Sequence, residues 1–323
     1  MAKGDPLVQV EDLVIRFPIS QKARKQTFIR PVDHVSFEIG HSEVLALVGE
    51  SGSGKSTIGR ALIRITEPSH GKILVRGQDV SHIKGRALRE YRRFIQMIFQ
   101  DPFGSLNPIR TIEQHIEFPL KTTPSRNNDS VDERMDYLLT RVGLTPVADI
   151  RAKFPHELSG GQRQRVAIAR ALAVNPGFLV ADEPISMLDV SIRAGILKLM
   201  NELKDEFGLS YLYITHDLAS ARYFGDRIMV IYGGKVMETA PSSELIRNPQ
   251  HPYTKLLLAA TPGSPVRGPL PETSNSAPNL FEGRMGCPFA DRCPHVLEKC
   301  TKVEPEKTTI SDEHTVFCHL MNV

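Results

Sequence analysis

The placing of apolar positions along the chain predicts two kinds of strand. Residues 7–17 and 32–39 alternate apolar and polar side chains, the pattern of antiparallel strands with one wet face. Residues 44–48, Val-Leu-Ala-Leu-Val, are apolar throughout, as a parallel strand buried on both faces requires. The runs 178–181, 211–215 and 228–232 repeat that signature, and 72–76 and 94–99 predict further strands. Between them the period lengthens to that of a helix. Ile196, Leu199, Met200, Leu203 and Phe207 share one face over 191–207, and Gly208 is placed to end that helix. Met135, Leu138, Leu139 and Val142 form a second stripe that stops at Gly143. Strands alternating with helices predict an α/β fold. Its mostly parallel sheet is covered on both sides, with an N-terminal antiparallel layer and a helical subdomain over about residues 102–175.

Length and composition narrow the class. A chain of 323 residues holds one large domain with an appendage, or two domains. The net charge of +3 is too small to argue for a nucleic-acid partner. A local basic run, Lys22, Arg24, Lys25 and Arg30, reads as a solvated loop or as a contact for acidic lipid headgroups. No apolar stretch approaches the ~20 residues that cross a bilayer, and the first residues lack the apolar segment of a secretory signal, so a cytosolic protein is expected. Residues 261–286, rich in Pro, Gly, Ser and Asn, predict a linker between residues 1–260 and a C-terminal segment 287–323.

The buried strand 44–48 runs directly into Gly49-Glu50-Ser51-Gly52-Ser53-Gly54-Lys55-Ser56. Glycines at this spacing let backbone N–H groups close around phosphate oxygens, and the helix that follows adds a favourable dipole. The residues expected at the phosphates are Gly49, Ser51, Gly52, Ser53, Gly54, Lys55, Ser56 and Thr57, with Lys55 reaching the β- and γ-phosphates and the Ser56 hydroxyl ligating Mg²⁺. A second apolar strand delivers Asp182 and Glu183 at its C-terminal end. Asp182 suits Mg²⁺ coordination through water, and Glu183 suits orienting and polarising an attacking water.

Leu158-Ser159-Gly160-Gly161-Gln162 opens another helix, over roughly 160–174, and is a further anion site by the same logic. From Leu158 to Leu172 the chain resembles the signature helix of ATP-binding cassette (ABC) ATPases. The resemblance implies that Ser159, Gly160, Gly161 and Gln162 contact the γ-phosphate of an ATP held by a second ATPase subunit, so that hydrolysis needs a dimer. It implies further roles one position at a time. Gln100 resembles the glutamine that senses Mg²⁺ and water and couples to the membrane partner. Asp189, in Ser186-Met187-Leu188-Asp189, resembles the loop that crosses the dimer interface, with Met187 in place of the usual alanine. His216 resembles the histidine that contacts the γ-phosphate. Phe17 matches the aromatic that stacks on adenine, with a core phenylalanine as the other reading.

Two further segments resemble one branch of that family. Gln100-Asp101-Pro102-Phe103-Gly104-Ser105-Leu106-Asn107-Pro108 and the His251-Pro252-Tyr253 region look like those of oligopeptide and dipeptide importers. The implied protein is an ATP-hydrolysing subunit at the cytoplasmic face of the cell membrane. Its implied partners are a second ATPase subunit (a paralogue), two membrane-spanning permease subunits and, indirectly, an extracytoplasmic solute-binding protein. No nucleic acid is expected. The competing classes are a non-transport ABC ATPase acting on nucleic acid or translation, and a binding-only regulatory subunit.

All four cysteines fall in the C-terminal segment, as Cys287-x5-Cys293-x6-Cys300-x17-Cys318. The segment resembles the C-terminal module of the same importer subunits, some of which hold a [4Fe–4S] cluster. Four thiolates suffice for such a cluster, zinc is the alternative, and a cytosolic setting disfavours disulfides. Free structural cysteines are the plain alternative. The segment lacks a strong apolar pattern, so metal ligation is expected to supply much of its order, and replacing Cys293 by Ser is expected to loosen residues 287–318 and leave nucleotide binding intact.

Overall fold

The structure is a computed structural model that describes residues 5–19, 27–122, 129–261 and 278–322. Lys22, Arg24 and Lys25 of the basic run, and most of the expected linker, lie outside the described residues. In chain order the strands are β1 (Val8–Pro18), β2 (Phe28–Ile39), β3 (Val44–Val48), β4 (His70–Val75), β5 (Gln78–Asp79), β6 (Ile95–Ile98), β7 (Phe178–Asp182), β8 (Ser210–Thr215), β9 (Arg227–Tyr232), β10 (Lys235–Pro241), β11 (Lys307–Ser311) and β12 (His314–Phe317). The helices are α1 (Lys55–Leu62), α2 (Gly85–Phe94), α3 (Ile112–Thr122), α4 (Val131–Arg141), α5 (Val147–Ala152), α6 (Gly160–Leu172), α7 (Val190–Phe207), α8 (Leu218–Phe224), α9 (Ser242–Arg247) and α10 (Pro252–Ala259). They fall into two compact units, one of residues 1–83 with 212–323, the other of 84–211.

The first unit carries an antiparallel sheet in the order β2-β1-β4-β5. Val8 faces Ile39 on one side and Val75 on the other, so the inward residues of three strands form one apolar layer. The other sheet of this unit runs β11-β12-β10-β9-β3-β8. Every residue of β3 is buried, and β3 lies parallel to β9 with Val48 opposite Val230. The chain then turns back. β10 pairs antiparallel with β9, and β12 pairs antiparallel with β10, Glu238 opposite Val316. The C-terminal segment is therefore part of the same hydrogen-bonded sheet. Residues 278–286 are tied in as well: Arg30 donates its backbone N–H to the Leu280 carbonyl, and Arg284 donates to the Gly233 carbonyl at 3.0 Å.

In the second unit β6 and β7 are parallel, with Ile98 opposite Ala181. Helices α3 to α6 pack on one another, and α6 also packs on β6 and α7. Ser130 and Glu133 close a capping box on α4, and Met135, Leu138 and Leu139 point inward as their spacing predicts. Gly208 ends α7 with φ +63°, a conformation that suits glycine.

Candidate nucleotide site and cysteine cleft

The phosphate loop follows from β3. A strand buried on both faces ends at Val48, and the chain has six residues in which to turn into α1. Two of its glycines are required by close packing. A Cβ on Gly54, at φ +103°, would stand 1.9 Å from the Pro31 carbonyl oxygen, and one on Gly49 would stand 2.2 Å from that of Ile231. Gly52, at φ +79°, has open space on its Cβ side. Gly54 caps α1, so Lys55 and Ser56 occupy the helix's first positions, where N–H groups point outward for an anion. The Lys55 ammonium is buried and donates to the carbonyls of Gly49 at 2.7 Å and Glu50 at 2.9 Å. The Ser53 hydroxyl is buried with no hydrogen-bond partner among the described groups. A glycine-lined turn, an outward-pointing helix N-terminus and a lysine beside it suit a nucleotide's phosphates. Phe17, near the end of β1, is 39% exposed and so can offer a ring face to a ligand.

His216 follows β8 and is exposed. The next residue, Asp217, caps α8 by accepting from the N–H groups of Ala219 and Ser220. That cap fixes the backbone turn on which His216 sits.

In the second unit the ends of β6 and β7 bring Gln100 and Glu183 together. The Gln100 side-chain amide donates to Glu183 Oε2 at 3.2 Å. Asp182 is buried at the last position of β7. Glu183 has φ +46°, a conformation few non-glycine residues adopt. Its carbonyl accepts from the Ser186 N–H and hydroxyl, which holds the turn in place. Backbone strain of this kind collects where a side chain must be aimed.

Ser159 is the N-cap of α6. Its hydroxyl accepts from the Gln162 N–H, and the Gln162 side chain accepts from the Ser159 N–H. A Cβ on Gly161 would meet Ile192 at 2.9 Å. Asp189 caps α7 through its backbone, and Arg193 donates to the Leu188 carbonyl at 2.9 Å and the Ser186 carbonyl at 3.4 Å. Arg193 thus fixes the loop 186–189. The Arg163 guanidinium lies 4.2 Å from the Phe103 ring centroid, joining the segment after Gln100 to the signature helix. Neither arginine was legible as a site residue, since an arginine on a helix reads as solvated.

Cys287, Cys293, Cys300 and Cys318 are free thiols that line a single cleft with His251, Phe289 and His319. Gly286, at φ +75°, lets the chain enter the cleft: a Cβ there would stand 2.3 Å from the Cys300 carbonyl. Burial pushes the Cys287 thiol up to about 12 and raises those of Cys293 and Cys318. Among the described residues no group of three or more His, Cys, Asp or Glu side chains is drawn together to hold a metal ion.

The cysteine segment contacts the phosphate loop. Arg292, just before Cys293, donates to Glu50 Oε2 at 2.7 Å. The reason lies in the His251-Pro252-Tyr253 stretch. His251 caps α10 by accepting the Tyr253 N–H at its Nδ1, and its own N–H is held by the buried Glu238. Pro252 suits the helix's first turn. Tyr253 is thereby aimed at the loop, and its hydroxyl accepts the Glu50 N–H at 3.0 Å.

The comparisons agree with this geometry. Residues 32–186 match the ABC transporter family, and residues 237–300 match the C-terminal region of oligopeptide/dipeptide transporters. The chain is 43% identical over 326 residues to the oligopeptide transport ATP-binding protein AppF of Bacillus subtilis, covering 99% of this chain and 98% of that one. It is 39% identical to the probable peptide ABC transporter ATP-binding protein y4tS of Sinorhizobium fredii, covering 98% and 90%. Among solved structures it resembles the ATP-binding cassette MJ0796, a dimer in a post-hydrolysis state bound to ADP and Pi, with a TM-score of 0.64 and 30% identity over 73% of this chain and 98% of that one. It also resembles cbiO1 of Clostridium perfringens, with a TM-score of 0.65 and 28% identity over 76% and 92%. The chain belongs to the ATP-binding subunits of oligopeptide/dipeptide ABC transporters. No described helix is long and apolar enough to cross a membrane.

Proposed function

We infer that this chain hydrolyses ATP to energise uptake of peptides or related small solutes across a membrane. What carries the reading is the glycine-lined turn at the end of β3, with Lys55 and Ser56 at the start of α1 and the relatives matched over almost the whole chain. Lys55 binds and neutralises the β- and γ-phosphates, and the Ser56 hydroxyl suits the Mg²⁺ that accompanies them. Glu183 accepts a proton from the attacking water, and Gln100 holds the Glu183 carboxylate in place. Ser159 and its two glycines meet the triphosphate of a second ATPase subunit, with Asp189 beside them at the dimer interface and His216 near the γ-phosphate.

The membrane-spanning partners dock on the second unit. Phe103, Ile109 and Phe118 expose apolar side chains there, in the stretch that follows Gln100. An ABC ATPase acting on nucleic acid is not favoured, because the full-length relatives are transport subunits. Removing the chain from its cell should abolish growth on a peptide nitrogen source, and Glu183→Gln should fail to restore it. Full restoration by that variant would overturn the reading.

The cysteine cleft suits a [4Fe–4S] cluster better than a single zinc ion. All four cysteines line one cleft, and their spacings lack the pair two to four residues apart that zinc sites include, whereas four thiolates suffice for a cluster. A bound cluster would supply covalent cross-links between four chain segments. Anaerobic purification followed by iron and acid-labile sulfide assays tests this, and stoichiometric zinc without iron would refute it.

A further inference from the structure

Glu50 sits between Gly49 and Ser51, inside the phosphate loop, and it is held at two points. Its backbone N–H is donated to the Tyr253 hydroxyl, and its carboxylate accepts from Arg292. Arg292 is itself enclosed. It donates to the Tyr232 hydroxyl at 3.2 Å, and its guanidinium lies 5.5 Å from the Tyr232 ring centroid and 5.8 Å from that of Phe289. Its side chain is 12% exposed, against 34% for Glu50. Arg292 ends the tight helical turn Ala290–Arg292, and Cys293 closes that turn by donating its N–H to the Ala290 carbonyl. Tyr232 packs edge to face with Tyr253 and with Phe289, which are tilted against each other, and Phe289 also lines the cysteine cleft.

This arrangement has a chemical consequence for a loop that binds phosphate. A glycine-rich turn has many conformations to lose when it closes on an anion, and each contact that fixes it beforehand raises affinity. A carboxylate beside the phosphates would also repel them unless a cation neutralises it. Arg292 does both: it pins the loop at Glu50 and cancels the charge that Glu50 brings. We propose that Arg292 is a positioning residue for the phosphate loop, and that the cysteine cleft sets nucleotide affinity through it. The proposal rests on the phosphate-loop reading and adds a second level of control to it.

The test uses the full chain and a fluorescent ATP analogue with Mg²⁺. Arg292→Ala should raise the nucleotide Kd by about tenfold, or ~1.4 kcal/mol, with turnover at saturating ATP little changed. Arg292→Lys should recover much of the affinity. In a Glu50→Ala background, Arg292→Ala should add little, because the partner it acts on is gone. Cys293→Ser should weaken binding in the wild-type background and add little to Arg292→Ala. Unchanged affinity in Arg292→Ala, or equal losses with and without Glu50, would overturn the proposal. If Arg292→Ala fails to fold, the Arg292→Lys and Glu50→Ala measurements decide: wild-type affinity in both overturns it. Lys55→Ala separates the levels. If Lys55→Ala weakens binding and Arg292→Ala does not, only the present proposal fails. If Lys55→Ala leaves affinity unchanged, the phosphate-loop reading fails with it.

Discussion

The side-chain amide of Gln100 donates to the carboxylate of Glu183 at 3.2 Å, joining the ends of two parallel strands. The Glu183 carboxylate is thereby held at the strand ends, where it suits accepting a proton from a water. Glu183→Gln keeps the size of the side chain but removes its capacity to take a proton. The variant should bind ATP, lose roughly 10²–10⁴-fold in turnover, and accumulate as an ATP-bound dimer visible by gel filtration. Near-normal turnover would remove Glu183 from its role.

Lys55 contributes at two levels. It donates to the Gly49 and Glu50 carbonyls and stands at the N-terminus of α1. With phosphate bound, its ammonium should make charge-assisted hydrogen bonds worth about 1.5–3 kcal/mol. Lys55→Ala should therefore weaken ATP binding by roughly ten- to hundredfold, measured by titration calorimetry. Unchanged affinity would contradict the phosphate site.

Gly54 should tolerate no side chain. Its φ of +103° is unfavourable for an L-residue, and a Cβ would overlap the backbone carbonyl of Pro31, which cannot rotate away as a side chain could. Gly54→Ala should cost more than ~1 kcal/mol in denaturant unfolding and displace the loop enough to impair nucleotide binding. Gly52, with open space on its Cβ side, should accept alanine with a smaller loss, set by its φ of +79° alone. Comparison of the two melting curves tests the distinction. Equal destabilisation would show that steric overlap at Pro31 is not what selects Gly54.

These features differ in how far the sequence revealed them. Gly54, Lys55 and the helix start at Ser159 were legible because local backbone chemistry dictates them: a glycine turn, a helix N-terminus and a side chain suited to cap one. The apolar run of β3 and the stripe of α7 were legible because burial repeats with the period of the element. Helix α2 was not, since of its ten residues only Tyr91 is buried and its arginines mask any stripe. The pairing of β12 with β10 was hidden because β12 has only four residues, and strand pairing between positions as far apart as Glu238 and Val316 leaves no periodic trace. The Arg292–Glu50 contact, 242 residues apart, was hidden for the same reason. The hydroxyl of Tyr253 was visible only as part of a motif, and its target appears only once α10 is folded.

His314 and Glu238 make the stability of the C-terminal hairpin depend on pH. Both side chains are fully buried, and His314 Nε2 lies 2.8 Å from Glu238 Oε1 while its Nδ1 lies 2.8 Å from Glu244 Oε1. An imidazole facing a carboxylate at each nitrogen is held as the cation, with both nitrogens donating. The hydrogen bond to Glu238 raises the His314 pKa against the opposing effect of burial, with Glu244 adding to the rise. Burial alone would raise Glu238, but hydrogen bonds from His314 and the N–H groups of Gln250 and His251 hold it below the usual range. For His314, raised in the folded state, the stabilisation is complete below the unfolded value of about 6.5 and is lost as pH rises through the higher folded value. For Glu238, lowered in the folded state, the stabilisation is present above about 4.3 and is lost as pH falls through the lower folded value. The hairpin should therefore be held best between these limits and should loosen on the alkaline side. His314→Ala leaves the Glu238 carboxylate buried without its cation, at a cost of about 3–5 kcal/mol. Hydrogen exchange of residues 307–317 should then be faster in the variant at pH 6 than in the wild type, and the difference should shrink toward pH 9. Protection that does not change with pH in the wild type would show that His314 is neutral in its pocket and that the hairpin is held by packing alone.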